Sequence, residues 1–166
     1  MYTEKQTVFL SGANGFIAQH IVKQLLDSKK FKVIGSVRSE EKANSLAENF
    51  KSPDLSFVYV KDISDPTAFD EAFKEHGSKL DYVIHSASPV LFTADDVEKE
   101  IIIPAKNGSS GIFKAAIKYA PNIKHFVLTS SNAAVADFRE KSNPNVVFSE
   151  SSWNPVTFEE GVSVDG

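Results

Sequence analysis

The chain has 166 residues, a formal net charge of −4 and no cysteine. This length favours one domain, and 42% hydrophobic with 24% charged residues is typical of a globular protein rather than a disordered, collagenous or coiled-coil chain. The lack of cysteine excludes a disulfide framework, a thiol nucleophile and thiolate metal sites, and the slightly acidic charge argues against nucleic acid or an anionic membrane as the main partner.

Targeting and metal-binding signals are weak throughout the sequence. The N-terminal stretch lacks the apolar run of about 7–15 residues that a secretion signal needs, and no stretch approaches the roughly 20 apolar residues of a membrane span. We therefore expect a soluble, cytoplasmic protein without a membrane partner. His20, His76 and His125 show no spacing typical of metal ligands, so no metal site is predicted.

The first part of the chain alternates apolar runs with helical patterns. A short, buried-type strand at residues 7–11 leads through a glycine turn into a helix that ends near residue 28. A second strand at 31–37 is followed by a helix from the N-cap Ser39 to about residue 50. A third strand is predicted at 55–61.

The same alternation continues in the middle of the chain. The dipeptide Asp65-Pro66 is predicted to open a helix, with Asp as the cap and Pro at the first helical position, and Gly77 to close it. A fourth strand at 80–85 precedes a long helix over about 96–120, which Pro104 is expected to kink or restart.

A fifth strand at 123–130 completes the alternation of strands and helices. This order is typical of a doubly wound, Rossmann-like parallel α/β sheet, for which we expect the strand order 3-2-1-4-5. We assign residues 1–131 to a nucleotide-binding domain. The pattern stops there, and residues 132–166 are predicted to be a loop-rich segment with one short strand at 145–148.

The first strand-to-helix turn reads SGANGFIA, with glycines and alanine in the spacing G-x-x-G-x-x-A. The first glycine permits a sharp turn, the second lets the backbone approach a pyrophosphate, and the alanine lets the helix lie close to the sheet. The positive end of the helix favours an anion there. A purely structural turn is the alternative. The predicted phosphate-binding loop contains Gly12, Ala13, Asn14, Gly15, Phe16 and Ile17.

The end of the second strand lacks the carboxylate that NAD-selective sites place against the ribose 2′-hydroxyl. Arg38 stands there instead, placed to meet a 2′-phosphate, and Lys42 lies in the first turn of the next helix, where a bound phosphate would offset its unfavourable interaction with the helix dipole. We predict NADP(H) as the cofactor. The alternative is that both cations simply pair with Glu40 or Glu41.

The ends of the third and fourth strands are also predicted to contact the cofactor. Asp62 is placed to accept the adenine amino group and Ile63 to cover the ring, although Asp62 also suits a simple turn before the next helix. The fourth strand ends in HSASP, in which the small Ala87 and Ser88 let the riboses pass closely. His85 is predicted to be a packed, supporting group rather than an acid–base catalyst.

The SGANGFIA turn and the HSASP and LTSS strand ends resemble the extended short-chain dehydrogenase/reductase superfamily. The runs VIGSVRSEEK, IPAKNG and ESSWNP are similar to the fungal NADPH-dependent aldehyde and ketone (methylglyoxal or isovaleraldehyde) reductases, with plant dihydroflavonol and cinnamoyl-CoA reductases as more distant relatives. The resemblance covers essentially the whole chain. It implies hydride transfer from a nicotinamide to a small-molecule carbonyl substrate, which Ser131 polarises; a turn cap is the alternative role for this serine.

The proton donor that the resemblance implies, a Tyr in Tyr-x-x-x-Lys, does not occur in these 166 residues, because none of the four tyrosines is followed by Lys at the fourth position. Family members carry this motif shortly after the segment that matches residues 163–166. The chain therefore resembles the N-terminal half of a reductase and is expected to be inactive alone, with an exposed fifth strand that invites self-association. A non-catalytic nucleotide-binding module and a nucleotide-sugar epimerase relative remain alternatives.

Overall fold

Five strands alternate with helices in the computed structural model, which describes residues 4–88, 93–137 and 145–163. The strands are β1 (Gln6–Ser11), β2 (Phe31–Val37), β3 (Leu55–Tyr59), β4 (Tyr82–His85) and β5 (His125–Leu128). The helices are α1 (Phe16–Asp27), α2 (Glu40–Phe50), α3 (Asp70–His76), α4 (Ile103–Tyr119) and α5 (Phe158–Val162). Pro89 of the HSASP run and residues 164–166 lie outside the described residues.

All five strands are parallel, in the order β3-β2-β1-β4-β5, which confirms the predicted doubly wound sheet. β2 has the predicted limits, whereas β5 is shorter than the predicted 123–130. It begins late because the Ile123 N–H donates to the Ala120 carbonyl at 3.3 Å and closes a turn. The carboxyl ends of the strands meet at one edge of the sheet, where nucleotides bind in such folds.

The helix predicted to open at Asp65-Pro66 begins instead at Asp70, so this prediction is wrong. An Asp65 carboxylate oxygen accepts hydrogen bonds from both the N–H and the hydroxyl of Thr67, each at 2.8 Å. These local bonds hold the segment in a turn, since Asp side chains compete with the helical backbone in this way. Gly77 is the C-cap of α3, as predicted.

The long helix over 96–120 is divided at Pro104, as expected. A π-helical turn (Glu98–Ile102) leads into α4, and Pro104 lies in the first turn of α4. The strand predicted at 145–148 is wrong. The hydrogen bonds of the adjoining Ser149 run to Ser151 and Ser152, so the segment closes on itself instead of joining the sheet.

The core lies on both faces of the sheet. On one face, side chains such as Phe9 and Val83 pack with α3 and α4; on the other, Leu10 and Val33 pack with α1 and α2. This two-sided burial explains the continuously apolar strands. No helix within the described ranges is both long and apolar enough to cross a lipid bilayer.

The turn after β1 lies directly on β2 because two small residues meet there. Ala13 is fully buried, and its N–H donates to the Ser36 carbonyl at 2.9 Å. The Gly12 N–H donates to the Ser36 hydroxyl at 3.1 Å. A Cβ atom on Gly35 would lie 2.7 Å from the Ala13 Cβ, so glycine at this position lets the turn reach the strand.

We expect Gly35→Ala to destabilise the protein, because the added methyl group collides with Ala13 inside the core. Overpacking of this kind costs about 1–3 kcal/mol, and each kcal/mol lowers the Tm of a chain of this size by about 2–4 °C. Thermal unfolding measures the effect. Gly161→Ala is the control, since its Cβ would meet only Ile102 Cδ1, at 3.9 Å. Equal Tm values for the two variants would contradict the close contact.

Candidate cofactor site

A cavity of about 370 Å³ lies at the carboxyl ends of β1, β2 and β4. Its walls come from the first turn, from the start of α2, from residues that follow β3 and from the turn after β4. This is the crevice in which a doubly wound sheet binds nucleotides. The cavity is lined by Gly12, Asn14, Gly15, Ser36, Val37, Arg38, Ser39, Lys42, Val60, Ile63, Ser86, Ala87 and Ser88.

Most of the residues singled out from the sequence meet in this cavity. Those that line it are Gly12, Asn14, Gly15, Arg38, Lys42, Ile63, Ala87 and Ser88. Ala13 is buried behind the turn, and Phe16 and Ile17 point outwards, with 83% and 58% of their surfaces exposed. Asp62 and Ser131 do not line the cavity.

Five lining residues were missed by the sequence analysis, namely Ser36, Val37, Ser39, Val60 and Ser86. Their shared signal is position, since each lies at or just beyond the carboxyl end of a predicted strand. Ser39 is predicted only as the N-cap of α2. It does cap this helix, because its hydroxyl oxygen accepts the Lys42 N–H at 3.4 Å.

The first turn depends on glycine at two positions. Gly12 has φ +65°, a left-handed conformation, and a Cβ there would lie 3.0 Å from the Ala87 Cβ. Gly15 is the N-cap of α1, and its own N–H donates to the Gly12 carbonyl at 2.8 Å. Gly15 has no side chain to cap the helix, and the first turn of α1 contains no acidic residue. The amino end of this 12-residue helix therefore presents N–H groups suited to an anion.

Arg38 and Lys42 are exposed side chains at the rim of the cavity. Within the part of the chain that the structure describes, neither cation forms an ion pair, so the predicted alternative of pairing with Glu40 or Glu41 is not observed. Both positive charges remain available to a phosphate group in the cavity.

Asp62 and Ile63 occupy different environments although they are neighbours. A carboxylate oxygen of Asp62 accepts the Ser64 N–H at 2.8 Å, and hydrogen bonds from Ser64, helped by the nearby Arg38 charge, lower the pKa of this carboxyl. Ile63 is buried and lines the cavity. It packs on α4 at Gly108, where a Cβ would lie 3.3 Å from Ile63 Cδ1, and the Asn107 amide donates to the Ser64 carbonyl at 2.9 Å.

Ser131 lies beyond β5 at the start of a 3-10 turn (Asn132–Ala134), where its hydroxyl oxygen accepts the Ala133 N–H at 3.2 Å. The later ESSWNP run holds this turn. The Asn154 side-chain amide donates to the Ala133 carbonyl at 2.8 Å, and the Asn154 N–H donates to the Ala134 carbonyl at 2.9 Å. Two segments separated by about 20 residues in sequence thus fix the loop that carries Ser131.

His85 is a packed residue with only 2% of its surface exposed. Its Nδ1 lies 2.7 Å from the hydroxyl oxygen of the fully buried Ser11. Burial lowers the pKa of His85 from 6.5 to about 4, so the imidazole is neutral at physiological pH. The nitrogen that faces Ser11 is therefore part of a fixed hydrogen-bonded core and not a free acid or base.

A second, larger hollow of about 660 Å³ lies at the amino ends of the strands. It is lined in part by Lys5, Lys32, Lys79 and Lys124. Two of these lysines are already paired, Lys5 with Asp54 and Lys124 with Asp81. No helix of eight or more residues among those described begins there, so the smaller cavity is the better nucleotide site. Among the described residues, no group of three or more His, Asp or Glu side chains is placed to hold a metal ion.

We expect stability to fall with pH between 6.5 and about 4, because the unfolded chain protonates His85 before the native protein does. The native state binds fewer protons in this window, so acid favours unfolding by about 2 kcal/mol at pH 5. Denaturant titrations at pH 7 and pH 5 measure the loss. His85→Asn should remove most of this loss in the free energy of unfolding. Equal free energies of unfolding of the wild-type protein at pH 7 and pH 5 would contradict the prediction.

Comparison with known proteins indicates NAD(P)H binding, and a nucleotide is the kind of ligand that suits this cavity. Residues 12–157 match the family model described as NAD(P)H-binding. The chain is 49% identical to the NADPH-dependent methylglyoxal reductase GRE2 of Saccharomyces cerevisiae, over 92% of this chain and 45% of that protein. It is 33% identical to dihydroflavonol 4-reductase of Arabidopsis thaliana, over 95% of this chain and 40% of that protein.

A solved structure shows the same fold. The yeast methylglyoxal/isovaleraldehyde reductase Gre2 complexed with NADPH superposes with a TM-score of 0.91 at 48% identity, over 95% of this chain and 46% of that one. The chain spans about half the length of the curated relatives it matches. These similarities confirm the resemblance to fungal NADPH-dependent reductases and, more distantly, to dihydroflavonol reductases. Since the family model matches most of the sequence, the chain belongs to the NAD(P)H-binding family.

Proposed function

We propose that this chain is the NADPH-binding part of a carbonyl reductase, and that Arg38 and Lys42 select NADPH over NADH. The observation that carries the proposal is the pair of exposed cations at the rim of the cavity, at the end of β2, where an NAD-selective site would place an acid. A charge-assisted contact to a 2′-phosphate contributes about 1.5–3 kcal/mol, enough to set cofactor choice.

The remaining lining residues fit the rest of a dinucleotide. The N–H groups around Gly15 would hold the pyrophosphate, Ile63 would cover the adenine, and the small Ala87 and Ser88 would leave room for the riboses. The cavity wall at Gly12 has no room for a side chain, because a Cβ atom there would lie 3.0 Å from the Ala87 Cβ. In this assignment Asp62 takes the adenine amino group with the oxygen lone pairs that Ser64 does not use, and Phe16 and Ile17 contribute backbone N–H groups only.

Ser131 is proposed to polarise the substrate carbonyl. Its oxygen already accepts the Ala133 N–H, which leaves the hydroxyl proton to donate to a carbonyl oxygen. Bound NADPH would supply the hydride. The 166 residues contain no Tyr-x-x-x-Lys, so we propose that reduction needs a proton donor outside them. General acid catalysis contributes about 10²–10⁴-fold, and the chain alone should show trace activity at most.

The proposed function also divides the chain into two parts. We propose that residues 1–131 hold the cofactor and that the segment 132–166 supports it, since Asn154 of this segment braces the Ser131 turn. The proposal also places the protein in the cytoplasm, in keeping with its cysteine-free composition.

The edge of the sheet at β5 is proposed to be covered by the part of a complete reductase that these residues lack. On β5, Val127 and Leu128 are 50% and 51% exposed, and on α4, Phe113 and Ile117 are 49% and 67% exposed. An apolar, unpaired strand edge invites pairing with another chain.

Arg38→Ala should weaken NADPH binding tenfold to a hundredfold and leave NADH binding unchanged, because only NADPH carries the 2′-phosphate. Calorimetric titration with both cofactors measures the difference. Lys32→Ala is the matched control, since it removes one exposed positive charge at the opposite end of β2. Equal wild-type affinities for the two cofactors, or an Arg38→Ala variant that keeps its NADPH affinity, would refute the phosphate clamp.

The isolated chain should form oligomers in size-exclusion chromatography and consume NADPH with methylglyoxal only at a trace rate. Fusing the C-terminal half of a relative to this chain should give a single oligomeric species and restore turnover, because the added half covers β5 and provides the proton donor. The matched control is the same fusion with Ser131→Ala, which should regain solubility but not activity. A monomeric isolated chain that reduces methylglyoxal at the rate of full-length relatives would contradict both the exposed β5 edge and the need for an added proton donor.

A further inference from the structure

Ser11 connects the carboxyl ends of β1 and β4 through one buried hydroxyl group. Its oxygen accepts the backbone N–H groups of Ser86 and Ala87, each at 3.0 Å. A serine hydroxyl has two acceptor lone pairs and one proton, so both lone pairs are occupied by these amides. The remaining contact, 2.7 Å to His85 Nδ1, must use the hydroxyl proton.

We infer that Ser11 and His85 form a positioning pair that fixes the turn after β4 against the cofactor. The Ser11 hydroxyl donates to His85 Nδ1, which holds the imidazole as the neutral tautomer with its proton on Nε2. This inference rests on the proposed NADPH site, which it extends to two residues that do not line the cavity.

The pair acts on the cofactor through the backbone that it holds. Ser86, Ala87 and Ser88 line the cavity, and the first two donate to Ser11 from consecutive N–H groups. The Ser86 hydroxyl adds a fourth bond by donating to the Ser11 carbonyl at 2.8 Å. All these bonds end on one residue of β1, so the wall that faces the riboses is fixed relative to the phosphate loop that begins at the next residue.

His85 supplies the acceptor that makes this arrangement possible. An edge-to-face contact with Phe69, with ring centroids 6.0 Å apart, restrains the imidazole ring. Without an acceptor at Nδ1 the buried Ser11 proton would have no partner, and any rotation of the hydroxyl to find one would break a hydrogen bond from Ser86 or Ala87. Leaving a buried polar group unsatisfied costs more than the hydrogen bond itself contributes.

Paired substitutions of His85 separate this positioning role from simple packing. Asn can place Oδ1 near the position of Nδ1 and accept the Ser11 proton, whereas Leu fills space without an acceptor. We expect His85→Asn to keep NADPH affinity within about threefold, and His85→Leu and Ser11→Ala to lose about tenfold or more. His125→Leu, which makes the same change at an exposed site on β5, should have no effect.

Two readouts on the cofactor-free protein keep the test independent of NADPH binding. Nitrogen-15 spectra of histidine-labelled wild-type protein should show His85 with Nδ1 unprotonated and Nε2 protonated. Amide hydrogen exchange at Ser86 and Ala87 should accelerate about tenfold or more in Ser11→Ala and His85→Leu and stay slow in His85→Asn.

The outcomes test the proposed NADPH binding and the Ser11–His85 pair separately. Failure of the wild-type protein to bind NADPH would overturn the proposed function while leaving the pair to be judged by tautomer and exchange. A protonated Nδ1, or unchanged exchange in Ser11→Ala, would overturn the pair. Equal NADPH affinities for His85→Asn and His85→Leu would show that His85 only fills space. If Ser11→Ala does not fold, the wild-type tautomer and the two His85 variants still decide.

Discussion

The close approach of the first turn to both neighbouring strands is the constraint on which the site depends. Gly12 adopts φ +65° where a side chain would strike Ala87, and Ala13 lies against Gly35, where a second Cβ has no room. These contacts place the phosphate loop between the ends of β2 and β4. The Ser36 hydroxyl then holds the loop there by accepting the Gly12 N–H, and the Ser11 hydroxyl holds the turn after β4 by accepting the Ser86 N–H. The cavity is therefore built from backbone geometry more than from large side chains.

In the proposed function, charge distribution gives this crevice its selectivity for NADPH. The amino end of α1 offers N–H groups, and Arg38 and Lys42 add two positive charges that no described carboxylate neutralises by an ion pair. A carboxylate oxygen of the nearby Asp62 accepts the Ser64 N–H, and Asp62 does not line the cavity. At the opposite end of the sheet, Lys5 and Lys124 are paired with carboxylates, and no described helix of eight or more residues begins beside Lys32 and Lys79, so a phosphate is expected at Arg38 and Lys42 instead.

Periodicity predicted the parallel sheet, and the fold class that it indicated predicted the strand order. The glycine turn and the strand ends predicted most of the residues that line the cavity, because both leave strong local patterns. Sequence-based prediction failed where short-range side-chain bonds compete with regular structure, as at Asp65, whose bonds to Thr67 delay the helix. It also missed Ser36 and Val60, which lie near the ends of predicted strands but carry no charge or glycine motif that singles them out there. The contact between the Ser11 hydroxyl and His85 Nδ1 joins residues 74 positions apart and is visible only in three dimensions.

The most direct test of the central claim is a two-dimensional amide NMR titration of the isotope-labelled chain with NADP⁺ and, in parallel, NAD⁺. The account predicts the largest shift changes at Gly12, Gly15 and Ala87 with either cofactor, and additional changes at Arg38 and Lys42 with NADP⁺ alone. Changes confined to the hollow at the amino ends of the strands, around Lys32 and Lys79, or the same pattern at Arg38 with both cofactors, would contradict it.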